Sequence, residues 1–162
     1  TLLVDLDLRR PTNHQLLKVK RAPGVTEVVR GDMAWKRAVQ IPNIDNLHVL
    51  PAGSAVDDEG GLLATVKLAE VLSEMREVFS VVIVDSPALT AVADASLVAR
   101  RADAVVLVYA LATTPHRSLQ RTLSMLHTTR ANVVGVVAND VRGLNARRAY
   151  RYGHYYRNAS RA

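Results

Sequence analysis

Two carboxylates spaced two residues apart, Asp5 and Asp7, close the apolar run in TLLVDLDLRRP at residues 1–11. A third, Asp85, closes a second apolar run in VVIVDSP at residues 81–87. Residues i and i+2 of a strand share a face and stand about 7 Å apart along it, so Asp5 and Asp7 are expected to aim into one site. Like charges so placed repel unless a proton or a cation lies between them. Magnesium suits the position, because it takes hard oxygen ligands and keeps several waters, so that some carboxylates act through water. Four apolar residues and then aspartate is also the form of the acid that orders water on the metal in phosphate-handling ATPases. Taken alone, Asp85 reads equally well as structural, since Ser86 and Pro87 make a good helix start. Two such strand ends in one chain favour a site.

The elements that must position these acids follow from hydrophobic patterning. Continuous runs rich in β-branched residues at 2–5, 47–50, 81–85, 104–109 and 133–138 suit strands covered on both faces, as in parallel sheets. Between them, Leu62, Val66, Ala69, Leu72, Met75 and Phe79 recur at three and four with charges interleaved, which predicts an amphipathic helix over 62–79. A second helix is expected after Thr114 as N-cap and Pro115 at the first turn, with Leu119, Leu123 and Leu126 on one face. Shorter helices are expected over 11–17, 23–30 and 90–101. Alternating strands and helices predict an α/β fold, a mainly parallel sheet flanked by helices on both faces. In such sheets ligands bind beyond the carboxyl ends of the strands, where all three aspartates fall.

Composition bounds the partners. The chain has 162 residues, 49% of them hydrophobic, enough for one ordinary domain. Its net charge of +6 is not spread over a surface: residues 1–140 hold 15 basic and 15 acidic side chains, whereas 141–162 hold six arginines and no acid. That predicts a balanced body, 1–140, and a basic arm, 141–162, and argues against nucleic acid as partner. The longest uncharged apolar run, 104–112, falls short of the roughly 18 residues a membrane span needs. There is no cysteine, consistent with a reducing compartment. The first residue is not methionine and already lies in an apolar run, so the chain is expected to be the back part of something longer. No Gly-Lys pair exists among the eight glycines, so a G-x-x-x-x-G-K-S/T phosphate loop is absent from these residues. Gly60 and Gly61 follow Asp57, Asp58 and Glu59, which would repel phosphate.

In order along the chain, these motifs resemble the bacterial tyrosine kinases of capsular and exopolysaccharide biosynthesis, relatives of the deviant Walker ATPases that include ParA and MinD. LLVDLDLRRP resembles the family's Walker A′ motif and VVIVDSPA its Walker B motif, with Ala88 where a second proline is usual. PGVTEVVRGDMAWKRAV, NLHVLPAG with its Pro51–Gly53 turn, ADASLVARRADAVVLV and NVVGVVAND continue the resemblance, and VDDEGGLL departs from the family's proline-rich approach to the next helix.

The resemblance implies a P-loop NTPase-like fold from which the P-loop strand is missing. In the family that strand lies between the Walker B strand and the one after it. Its absence predicts two unpaired ladder edges and a chain that folds poorly by itself. The resemblance also implies ATP and magnesium as cofactors. Asp5 becomes the base for a tyrosine hydroxyl, Asp7 assists at the metal, and Asp85 holds magnesium through water. Asn139 contacts adenine, and Arg9 steadies phosphate or a subunit contact. The arm packs Tyr150, Tyr152, Tyr155 and Tyr156 among arginines, and these become phosphate acceptors presented to a neighbouring copy in a homo-oligomer. Implied surroundings are the cytoplasmic face of the plasma membrane and a membrane polysaccharide co-polymerase, fused upstream or separate. Two alternatives are a ParA/MinD-like ATPase switch and a non-catalytic regulatory or scaffold protein that lacks the P-loop. The histidines His14, His48, His116 and His127 show no ligand spacing, and Trp35 is expected to be a packing anchor.

Overall fold

The computed structural model describes residues 1–89 and 94–140. All five expected strands form: β1 Leu2–Asp5, β2 His48–Leu50, β3 Val82–Asp85, β4 Val105–Ala110 and β5 Val133–Asn139. They make two parallel sheets, one of order β2-β1-β3 and one of β4-β5. The break falls between β3 and β4, the place at which the resemblance leaves a strand out. Both β3 and β4 are therefore edge strands among the described residues.

Among the described residues seven helices lie between the strands: α1 Asn13–Leu16, α2 Val25–Arg30, α3 Trp35–Ala38, α4 Glu59–Leu63, α5 Val66–Val78, α6 Asp94–Ala99 and α7 His116–Thr128. The expected helix over 62–79 is two helices. Thr65 interrupts it, turning to φ −65°, ψ 149° and accepting the backbone N–H of Leu68 as the N-cap of α5. The Gly60–Gly61 pair lies in α4, where Asp58 caps the N–H of Gly61 at 2.8 Å; the acid before the glycines serves the helix itself. At α7 the boundary is one residue later than expected, because Pro115 at ψ 140° is the N-cap. The single turn α3 carries no periodicity long enough to read in a sequence. Residues 90–93, part of the expected 90–101 helix, and the arm from 141 onward with its four tyrosines lie outside the described residues.

The core is built on β1. Leu2, Val4, Leu6 and Leu8 are buried together with Val25 and Val28 of α2, Leu50 of β2, and Leu68, Val71 and Met75 of α5. Trp35 joins them at 5% exposure, and its indole N–H donates to Glu74 at 2.8 Å, as a packing anchor with a polar handle should. The second sheet is attached through α6, whose Val98 reaches the same core, and through an ion pair at 2.9 Å from Arg76 of α5 to Asp103 before β4. Between the two sheets runs a groove of about 690 Å³ lined by Leu72, Phe79, Val82, Val84, Val98 and Ala104 among others. Ile83 on β3 and Val106 and Val108 on β4 are 50–63% exposed, unusual for parallel strands, which are ordinarily covered on both faces.

A candidate active site at the strand ends

Asp5 ends β1 and Asp85 ends β3, and the two are register partners in the parallel ladder. Neighbouring strands lie about 4.8 Å apart, so the two acids stand side by side. The strand does not run on to Asp7. The carboxylate of Asp5 turns to accept the N–H of Asp7 at 3.1 Å, and Asp7 in turn accepts the N–H of Arg10 at 3.0 Å. The first is an Asx turn and the second reaches one residue further; in both a short acidic side chain takes the place of a ladder partner for a backbone N–H. The expectation that Asp5 and Asp7 share one face of a strand is thus corrected: β1 stops at Asp5, and Asp7 belongs to the turn that follows. That turn leads through Pro11 to α1, whose Asn13 donates from Nδ2 to Oδ2 of Asp85 at 2.6 Å.

Asp5 is fully buried, and its Oδ2 has no hydrogen-bond partner among the described residues. Burial raises its pKa above the ordinary carboxylate value. The N–H of Asp7 offsets part of this, the charge of Asp85 adds to it, the Asn13 amide lowers it again, and the charge of Asp7 raises it. A carboxylate oxygen with no donor, beside a second carboxylate, is an arrangement that a proton or a cation completes.

Magnesium fits these residues in a limited way. No group of three acidic or histidine side chains among the described residues is close enough to form a protein cage. Magnesium seldom uses one; it is usually held by one or two carboxylates, with waters and substrate phosphates completing the shell. The pair Asp5 and Asp85, with the oxygen of Asp5 that lacks a partner among the described residues, would supply the protein's share.

The remaining expected site residues are distributed as follows. Asn139 is exposed at the carboxyl end of β5 and opposes Ala110, on the second sheet; its Oδ1 accepts the N–H of Asp140 at 2.8 Å. Arg9 is exposed in the turn after Asp7. Asn13 escapes a reading by residue type, because an asparagine near a helix start is ordinarily a cap; its place after a turn-forming acid-rich stretch is the available signal.

A second tightly built region braces the first. The Pro51–Gly53 turn is buried against the start of α2. Val25 and Thr26 donate backbone N–H groups to Pro51 and Ala52 at 2.8 and 3.0 Å, and the Thr26 hydroxyl donates to the carbonyl of Ala52 at 3.0 Å. Glu27 accepts from the backbone of Gly24 at 2.7 Å and of Ser54 at 3.0 Å. Gly53 sits at φ +93°, where a side chain is disfavoured. Together these bonds fix the segment that follows β2 to the layer behind β1.

No protein-family model matches the chain. Among curated proteins it is 31% identical over 170 residues to the succinoglycan biosynthesis transport protein ExoP of Rhizobium meliloti, covering 96% of this chain and 22% of that protein. It is 30% identical over 154 residues to the tyrosine-protein kinase YwqD of Bacillus subtilis, covering 95% of this chain and 64% of that one. The crystal structure of the VpsO kinase domain superposes with a TM-score of 0.82 at 27% identity, over 87% of this chain and 70% of that domain. Over nearly its whole length this chain is similar to bacterial tyrosine-protein kinases. The family's P-loop NTPase-like architecture is the one seen here, parallel strands flanked by helices. The chain spans between about a fifth and two thirds of the length of these two curated relatives. Among the described residues no helix is long and apolar enough to cross a membrane.

Proposed function

We propose that this chain is the C-terminal portion, 1–140, of a nucleotide-binding domain with a basic tyrosine-rich arm, 141–162. It would act in an ATP-dependent protein-tyrosine autokinase that regulates capsular or exopolysaccharide synthesis and export. The observation that carries the reading is the side-by-side placement of Asp5 and Asp85 at the carboxyl ends of β1 and β3, with Oδ2 of Asp5 buried and without a partner among the described residues.

Within that reading the chain's own residues divide the work. Asp5, kept partly protonatable by burial, takes the proton of the tyrosine hydroxyl as general base. Asp85, exposed and hydrogen-bonded to Asn13, holds magnesium through water, and Asp7 assists at the metal from the turn that carries Arg9 and Arg10. Magnesium, when bound with ATP, neutralises charge on the transferring phosphoryl group. Asn139 contacts adenine, and Arg9 steadies phosphate or a neighbouring subunit. Tyr150, Tyr152, Tyr155 and Tyr156 are the acceptors, reached by the site of another copy in a homo-oligomer at the cytoplasmic face of the plasma membrane. The partner is a membrane polysaccharide co-polymerase; the likeness to ExoP, named for succinoglycan biosynthesis transport, supports this.

The test is phosphotyrosine formation by the full-length protein with Mg·ATP. Replacing all four arm tyrosines by phenylalanine should remove most of the label, and undiminished labelling would overturn the acceptor assignment. ATP hydrolysis with no phosphotyrosine would favour the ParA/MinD-like switch, and absence of nucleotide binding would favour the scaffold.

A further inference from the structure

Asn13 donates to Asp85 from 72 positions away in sequence, and its amide also acts on Asp5. It stands at the first position of α1, a helix of four residues. The segment leading to it is shaped by Asp5 and Asp7 themselves, through their turns onto the N–H groups of Asp7 and Arg10. The loop that begins at one carboxylate of the pair therefore returns to cap the other.

The amide does for Asp85 what a metal-bound water would do. Both are N–H or O–H donors to a carboxylate oxygen, and magnesium typically engages such acids through its retained waters. A lone pair on Oδ2 of Asp85 that accepts from Asn13 at 2.6 Å is not free to accept from that water in the same direction. An amide carries no net charge, so it holds the carboxylate in place without neutralising it and leaves the attraction for a cation intact. A lysine or arginine at this position would instead compete with the cation by charge. The four-residue helix lets the side chain withdraw without unfolding a longer element.

Resting on the cation reading above, we propose that Asn13 is a positioning residue and placeholder: its amide holds Asp85 beside Asp5 in the metal-free protein and is displaced when a divalent cation binds. Linkage is reciprocal. If cation binding breaks the Asn13–Asp85 bond, removing that bond must tighten cation binding.

The experiment is titration of the full-length protein with Mn²⁺ alone, followed by electron paramagnetic resonance, alongside thermal unfolding with and without the ion. Asn13→Ala should bind Mn²⁺ about 5-fold tighter or more, the lower end of ordinary coupling, and melt lower than wild type without metal, the gap closing when Mn²⁺ is present. Asn13→Leu, close in size and carrying neither a donor nor a metal ligand, should show both effects and serves if the alanine variant does not fold. Unchanged or weaker Mn²⁺ binding in both variants, with wild type binding normally, would overturn the placeholder and leave the proposed function standing. A melting loss that Mn²⁺ does not reduce would make Asn13 merely structural, also overturning it. No Mn²⁺ binding by wild type would instead sink the cation reading, and the placeholder with it.

Discussion

Asp5 and Asp85 stand side by side at the last rung of the β1–β3 ladder, one buried with an oxygen that has no partner among the described residues and the other capped by Asn13. Two acidic side chains placed together without an ion pair among the described residues make a locally costly arrangement, of the kind the proposed cation site would relieve. Structures tolerate such local cost where function requires it.

Replacing Asp5 by asparagine should therefore stabilise the protein while disabling it. The amide oxygen still accepts the N–H of Asp7, and the amide nitrogen takes the place of the orphaned Oδ2 as a donor toward Asp85. Relief of an unsatisfied buried group is worth about 1–3 kcal/mol. On the proposed role of Asp5 as general base, its loss should lower autophosphorylation by roughly 10²–10⁴. Burial puts the folded-state pKa of Asp5 above its ordinary 3.8, so wild type has this group's full contribution below the ordinary value and loses it as pH rises through the raised one. The advantage of Asp5→Asn over wild type should accordingly grow across that window and then level off. Denaturant melts at a series of pH values without metal check it; an advantage that shrinks with rising pH would refute the assignment.

Glu27 should show the opposite pH dependence. Burial pushes its pKa up, but the Ser54 side chain and the N–H groups of Gly24, Ser54 and Glu27 itself outweigh that and bring it below 4.5. Its contribution is present above the ordinary value and is lost as pH falls through the lowered one. Glu27→Ala leaves the N–H groups of Gly24 and Ser54 without their acceptor and should cost about 2–3 kcal/mol at neutral pH. The difference from wild type should narrow in acid, as read from urea midpoints at neutral and acidic pH.

Gly24→Ala tests the same brace by sterics. A Cβ at Gly24 would run into the carbonyl oxygen of Pro51 and lie 2.5 Å from the backbone nitrogen of Gly53. Those are backbone atoms that cannot rotate away, so the Val25–Pro51 hydrogen bond must break. A loss of about 3 kcal/mol or more is expected, at the upper end for overpacking. Thermal unfolding would show it, and a wild-type midpoint would mean that the turn is not held against α2.

The legible parts of this fold were those that depend on local pattern. Unbroken β-branched runs located all five strands, because a continuous apolar run is the mark of a parallel strand even where, as on β3 and β4, one face is exposed among the described residues. Asp85 could be placed at a strand end for the same reason. The end of β1 was less legible, since whether Asp7 continues a strand depends on the Asp5 side chain capping it, a choice made by one hydrogen bond. The break in the long helix at Thr65 lay hidden for a similar reason: the apolar spacing runs straight through it, and only the cap shows the chain restarting. Asn13 was out of reach of pattern altogether, because its partner is 72 residues distant.

The open edges between the sheets yield the last prediction. Ile83, Val106 and Val108 are half or more exposed on strands whose neighbours are otherwise parallel and apolar, and such edges template association between chains. The 162-residue chain alone should aggregate, and Val106→Lys with Val108→Lys should reduce this, since charged edges are the usual defence. In the full-length protein the proposed reading places a P-loop strand between β3 and β4, and where that strand's own covering layer closes over this face the same lysines would be buried. An unpaired polar group buried in this way costs at least about 2 kcal/mol, which for a domain of 150–250 residues lowers the melting midpoint by roughly 4–8 °C. Light scattering of the isolated chain and calorimetry of the full-length protein measure the two halves. Lysines that leave the full-length midpoint unchanged would show that this face of β4 meets solvent there too, and the slot for an added strand would have to be abandoned.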